Sequence, residues 1–86
     1  MNLAFTNQAK KDLAEIIAED AKLGGKIFDL ILDISKNGHQ GKGHPEALKG
    51  NYSGWWSRRI DKKHRLIYQI EEGFIIIARC YGHYDD

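Results

Sequence analysis

Residues 64 to 80 read His-Arg-Leu-Ile-Tyr-Gln-Ile-Glu-Glu-Gly-Phe-Ile-Ile-Ile-Ala-Arg-Cys, and this run decides the fold. From His64 to Ile70 the side chains alternate: Leu66, Tyr68 and Ile70 share one face, and Arg65, Ile67 and Gln69 share the other. Glu71-Glu72-Gly73 has the composition of a turn. Phe74 to Cys80 is apolar at nearly every position, which marks a central strand covered on both faces. Upstream, Trp55 to Ile60 reads as another strand, joined to this pair by a turn at Asp61-Lys62-Lys63. Three consecutive strands with short turns make an antiparallel hairpin sheet.

The N-terminal half has a different period. Leu3 and Phe5 alternate across a short strand over Asn2 to Thr6. Thr6 or Asn7 can then cap a helix, because their side-chain oxygens accept from free backbone N–H groups. Ala9, Leu13, Ile16 and Ile17 recur at helical spacing, with Lys10, Lys11, Asp12, Glu15 and Glu19 turned to water. A second apolar stripe runs through Leu23, Ile27, Leu30, Ile31 and Ile34, and Asn37-Gly38 supplies its end. Gly24-Gly25 either breaks the two helices apart or lies in the first turns of a helix capped by Asp20. Phe28 and Leu32 sit off the stripe; they widen the core face or meet a partner, and core is preferred. Residues 38 to 54 are glycine-rich and hold the only proline, the pattern of a long irregular loop, and such loops are usually functional. The element order is β-α-α-β-β-β. It predicts an α+β fold: an antiparallel twisted sheet with two N-terminal helices packed on one face, in a single domain over residues 1–86.

With 86 residues the chain buries a modest core, about 60–65% of its unfolded surface. A lone cysteine, Cys80, excludes an internal disulfide, fits a reducing cytoplasm, and in its apolar run reads as a buried, inert thiol. There is no apolar run of about 18 residues and no signal-peptide pattern, so no membrane partner is expected and the location is read as cytoplasmic. Net charge is only +1, yet the charge is segmented. Residues 36–65 hold eight Lys or Arg and two acids, residues 1–35 four bases and six acids, and residues 66–86 one base and four acids. One basic segment in a nearly neutral chain points to phosphate, since Lys and Arg contacts dominate nucleic-acid affinity.

Three groups near that segment carry candidate chemistry. Glu46 follows Pro45 directly; it is either a first-turn glutamate at a helix start or a general base held as a carboxylate among Lys42, His44 and Lys49. Arg58 and Arg59 must point to opposite faces, while Arg59 and Arg65 meet across the turn; such residues are a solvated strand face or a phosphate clamp. His83-Tyr84 is either a frayed tail or an acid with an aromatic neighbour, because an imidazole can hold a proton for a leaving 5′-oxygen and a phenol ring can stack on a base. Trp55 and Trp56 also point to opposite faces, one of them into the core. His39, His44 and His64 lack metal-ligand spacing, and Gly41-Lys42-Gly43 lacks the flanking strand and helix of a phosphate loop, so no metal and no cofactor are expected.

Gly41-Lys42-Gly43-His44-Pro45-Glu46-Ala47-Leu48-Lys49, Gly54-Trp55-Trp56-Ser57-Arg58-Arg59-Ile60, His64-Arg65-Leu66-Ile67-Tyr68 and the closing His83-Tyr84 occur in this order. With these blocks the chain resembles the YoeB/Txe family of bacterial toxins, within the RelE/ParE superfamily, from Leu3 to Tyr84. The resemblance implies a RelE-like fold and the toxin of a type II toxin–antitoxin pair. It implies a metal-independent mRNA endonuclease that acts in the ribosomal A site by attack of the ribose 2′-OH. Carried over by position, Glu46 is the general base, His83 the general acid, Arg65 the residue that steadies the phosphorane, and Tyr84 the residue that positions RNA. Lys49, Arg58 and Arg59 match positions that contact RNA backbone, and Lys42 and His44 add cations beside the base. The implied partners are message, the ribosome, a YefM-like antitoxin and a second copy in a homodimer. Three departures stand out: His44 replaces a common lysine, Cys80-Tyr81-Gly82 replaces an Arg-aromatic pair, and Asp85-Asp86 extend past the usual end. Two other readings remain: a ParE-like gyrase inhibitor, a branch that generally lacks the acid–base residues, and a non-catalytic RNA- or partner-binding module.

Overall fold

The computed structural model describes residues 1–83, which form β1 (Asn2–Phe5), α1 (Asn7–Glu19), α2 (Ala21–Asn37), β2 (Glu46–Ala47), β3 (Trp56–Arg59), β4 (Arg65–Glu71) and β5 (Phe74–Arg79), with one 3-10 turn at Gly50–Tyr52. The strands make one five-stranded sheet in the order β1-β5-β4-β3-β2. The α+β architecture is as expected, but two of its details differ from the sequence reading. β1 runs parallel to β5, Leu3 opposite Ile75, so the sheet is mixed rather than wholly antiparallel. The reason is connectivity: two helices separate β1 from the other strands in sequence, and such a crossover permits parallel pairing where a tight turn does not. The stretch read as an irregular loop also contributes β2, a two-residue edge strand antiparallel to β3.

Helix ends follow the side chains available. Thr6 Oγ1 accepts from the Ala9 N–H (3.0 Å) and donates to the Ala78 carbonyl (2.9 Å), which fixes the start of α1 against the sheet. Asp20 serves both helices: its N–H closes α1 on the Ile16 carbonyl, and its carboxylate accepts from Lys22 N at the start of α2. The break is therefore Asp20, and Gly24 and Gly25 lie inside α2. A Cβ at Gly24 would sit 3.0 Å from Ile17 Cγ1, so the glycine lets the two helices approach closely.

The helices cover one sheet face. Ala9, Ile16, Ile27, Leu30 and Ile34 pack against Leu66, Tyr68, Ile75, Ile77 and Cys80. Cys80 is buried as expected, and burial, with Asp12 nearby, pushes its thiol up to about 12, leaving it protonated and unreactive. Phe28 and Leu32 are not core. They are 58% and 48% exposed on the outer face of α2, since the helix turns only its main stripe inward. Phe74, at the start of β5, is exposed as well.

Two charged groups are built into this core. Asp12 on α1 accepts from Arg79 Nε (2.8 Å) and from the Cys80 N–H (3.1 Å), fastening the end of β5 to the helix. Burial raises its carboxyl, but hydrogen bonds from Arg79, Gln8 and Cys80 outweigh that and hold it below the usual 3.8. Arg58 on β3 is wholly buried beneath α2. Its guanidinium donates to the Asp33 carboxylate and to the carbonyls of Gly38 (2.6 Å), Gln40 (2.8 Å) and Lys42 (3.0 Å), while its Nε reaches Tyr68 Oη at 3.3 Å.

Removing that guanidinium strands three carbonyls, a phenol and a carboxylate, so Arg58→Met should destabilise by about 3 kcal/mol. Arg59→Met, on the exposed face, should change stability by less than about 0.5 kcal/mol. Equal denaturant midpoints for the two variants would contradict this. The hydrogen bond from Arg58, with the Lys42 N–H, likewise holds Asp33 below 3.8. A depressed folded value gives stabilisation that is complete above pH 3.8 and withdrawn as pH falls through the folded values of Asp12 and Asp33. Chemical denaturation across about pH 2–5 should show stability falling below about pH 4, and the double variant Asp12→Asn/Asp33→Asn should flatten that slope; an unchanged slope would contradict it.

Candidate nucleic-acid interface

Strand register determines which side chains share a surface. Glu46 pairs with Ser57, Ser57 with Ile67, and Arg59 with Arg65. Residues paired across strands, and residues two apart along a strand, project from the same face. Leu66, Tyr68 and Trp56 belong to the helix-side core, so Glu46, Ser57, Arg59, Arg65 and Ile67 occupy the opposite face. Ser57 and Ile67 are buried and form its floor; Glu46 and Arg59 are exposed, and Arg65 is half-buried. Glu46 and Arg65 are two strands apart laterally and two residues apart along the strands, a Cα separation of about 12 Å from sheet spacings. Two long side chains across that gap can flank one phosphodiester.

Glu46 heads β2 instead of a helix, which removes the first-turn reading. The turn before it is fixed by Arg58 and by a bond from the Arg59 N–H to the Gly43 carbonyl at 2.7 Å. Gly43 has little room for a side chain and a φ of 80° that disfavours one: a Cβ would meet the Arg59 carbonyl and Leu30 at 3.1 Å and Arg58 Cβ at 3.2 Å. His44 is then held at φ 53°, a conformation that costs a non-glycine residue roughly 1 kcal/mol or more. Pro45 follows and Glu46 enters the sheet. The carboxylate is thus carried by the edge strand of the sheet.

Arg65 starts β4. Its Nη1 donates to the carbonyls of Asp61 (2.7 Å) and His64 (3.1 Å), which orients the guanidinium plane over the β3–β4 turn. Its backbone N–H donates to the Gly82 carbonyl at 2.8 Å, so the chain after β5 returns alongside Arg65. His83 follows immediately and is exposed. Register and this bond bring Glu46, Arg65 and the His83 backbone to one region of the sheet. Tyr84 lies outside the described residues.

Among the candidate RNA contacts, Lys42, His44, Lys49 and Arg59 are exposed. Lys42, His44 and Arg59 join Lys26 of α2, beside Asp29, around a cleft of about 350 Å³. Arg58 is corrected: it is buried and its donors are occupied by Asp33, Tyr68 and loop carbonyls, so it supports the surface from behind rather than contacting RNA. His39 lies with it, stacked on Trp56 at 4.0 Å and 8°. Burial and the nearby Arg58 charge lower its pKa, so it is neutral at pH 7 and adds no cation. Among the described residues no cluster of His, Cys, Asp or Glu is arranged to hold a metal, and no helix is long and apolar enough to cross a membrane.

The sequence reading missed Asp33, Lys26 and His64. Asp33 and Lys26 look like solvated helix positions, and only tertiary packing brings them to the loop. His64 carried a local sign, because Asp61 caps the turn through bonds from the N–H groups of Lys63 and His64.

Known proteins resemble the chain in both sequence and fold. The model of the YoeB-like toxin of bacterial type II toxin–antitoxin systems matches residues 5–84. The toxin YoeB of Streptomyces coelicolor is 39% identical over 84 residues, 98% of this chain and the whole of that protein. A YoeB dimer from Staphylococcus aureus superposes with a TM-score of 0.89 at 41% identity, covering 98% of each chain. YoeB in a heterotetrameric YoeB–YefM toxin–antitoxin complex from the same species gives 0.87 at 41% identity and the same coverage. On these grounds the chain belongs to the YoeB family of toxins of type II toxin–antitoxin systems.

Proposed function

We propose that this toxin is a metal-independent endoribonuclease that cuts message in the ribosomal A site. The observation that carries the reading is the sheet face that Glu46 and Arg65 share, two strands and two residues apart, with Gly82, the residue before His83, hydrogen-bonded to Arg65. Glu46, on its edge strand, takes the 2′-OH proton; the 2′-oxygen attacks the adjacent phosphorus; Arg65 stabilises the charge on the phosphorane oxygens; His83 gives its proton to the departing 5′-oxygen. The products are a 2′,3′-cyclic phosphate and a 5′-hydroxyl. Tyr84 is proposed to position RNA, and Lys42, His44, Lys49 and Arg59 to hold its backbone.

The partners follow from the same reading. Relatives form a YoeB–YefM complex and a YoeB dimer. For this chain we propose a YefM-like antitoxin, itself acidic enough to cover the basic face, self-association, and work in the cytoplasm with the ribosome as platform.

In a reconstituted translation reaction, Glu46→Ala and His83→Ala should each slow message cleavage by about 10²–10⁴-fold while leaving the thermal midpoint within a few degrees. Wild-type rates in the double variant would remove the mechanism, and gyrase inhibition by the same double variant would favour the ParE-like reading. Lys49→Ala and Arg59→Ala should weaken binding to single-stranded RNA and each reduce the slope of log K against log salt by about 0.7. An unchanged slope would show that these side chains do not meet phosphate.

A further inference from the structure

We infer that His64 is a positioning residue for His83, holding the segment that carries the imidazole through a hydrogen bond from the Gly82 N–H to its ring. The inference rests on the acid role proposed for His83. His64 is only 3% exposed, and its Nδ1 accepts from the Gly82 N–H at 2.9 Å. A backbone N–H can only donate, so Nδ1 must carry the lone pair and the ring proton of neutral His64 sits on Nε2. The residue is itself held firmly. Its N–H donates to Asp61 Oδ1 at 2.7 Å, and its carbonyl accepts from the Ile60 N–H at 3.0 Å.

Gly82 is therefore clipped on both sides, its N–H by the His64 ring and its carbonyl by the Arg65 N–H at 2.8 Å. It has φ 90°, where a side chain would be strained, and this conformation turns the chain beside Arg65. The residues before it are fastened too. The Cys80 N–H donates to Asp12. The Tyr81 ring rests on His64 at 4.5 Å, and a hydrogen bond to Glu19 pushes its phenol up to about 12, so it stays a donor. These contacts reach the residue immediately before the proposed acid. A proton donor displaced by 1 Å can lose about 10²-fold in rate, so a rigid Gly82 has a catalytic consequence. A purely space-filling His64 would need only its volume; the positioning role needs the acceptor at Nδ1.

Three variants separate these roles. His64→Leu keeps bulk without an acceptor, His64→Asn places an amide oxygen near the Nδ1 position, and His64→Gln places its amide near Nε2. Cell-free synthesis supplies the proteins; the readouts are the single-turnover rate on ribosome-bound message, Gly82 amide exchange protection, and the ¹⁵N shifts of the His83 ring. His64→Leu should lose about 10²-fold in rate together with Gly82 protection, and His64→Asn should recover both to within about tenfold of wild type. A wild-type rate in His64→Leu, with or without protection, overturns the inference, as does His64→Asn behaving like His64→Leu. If His64→Leu does not fold, protection at Gly82 in His64→Asn and its loss in His64→Gln supports the inference, and equal behaviour overturns it. If the wild-type protein cuts no message, the nuclease reading fails, and Gly82 protection with the His83 ring shifts still decides whether His64 holds this segment.

Discussion

The structure depends on where the Arg58 guanidinium is placed. A buried cation is costly unless nearly every donor is met, and here the partners come from three directions: α2 through Asp33, the sheet through Tyr68, and the glycine-rich loop through the carbonyls of Gly38, Gln40 and Lys42. A loop without secondary structure of its own thereby acquires a fixed path. That path ends at Glu46, the first residue of the two-residue strand β2. The backbone path that leads to the candidate base is thus a consequence of a charge on the other side of the sheet.

The opposite end of the site is held by different chemistry. Asp12 secures the exit of β5, and the turn at Asp61–His64 secures both Arg65 and Gly82. Two separate polar networks, one on each side of β3–β4, support one face. Groups proposed to act together at a phosphodiester are best carried by elements that do not move relative to each other; Glu46 and Arg65 stand on strands of one sheet, and His83 follows Gly82, which is hydrogen-bonded to that sheet. The exposed side chains of Lys26, Lys42, His44 and Arg59 lie around one cleft at this edge of the molecule, the surface proposed to hold RNA backbone.

Much of the fold was legible because it is local. The alternation of residues 64–70, the apolar run from Phe74 and the two helical stripes are short-range patterns, and each became the expected element. The pairing of Arg59 with Arg65 followed from a turn three residues long. What failed was non-local. Parallel pairing of β1 joins the two ends of the chain and leaves no mark on the spacing of Leu3 and Phe5. A two-residue strand at Glu46 has no period to detect. Alternation assigns Arg58 and Arg59 to opposite faces but does not say which face is dry; the answer lies in Asp33, 25 residues away. Phe28 and Leu32 satisfy helical spacing equally well inward or outward, and only the position of the sheet decides. The candidate site shows the same division. Its residue types stand out in the sequence, whereas Asp33, which holds the Arg58 guanidinium, looks ordinary there, and Asp61 and His64 are marked only by the turn they form.

The central claim is that the protein assists an attack by the message's own 2′-hydroxyl. The most direct measurement uses a ribosome-bound message carrying a single 2′-deoxynucleotide at the mapped cleavage position, with the all-ribose message beside it. The account predicts that the all-ribose message yields a 5′-hydroxyl fragment and a 2′,3′-cyclic phosphate, and that the deoxy message is not cut at that position. Cleavage of the deoxy message at the same bond would contradict it.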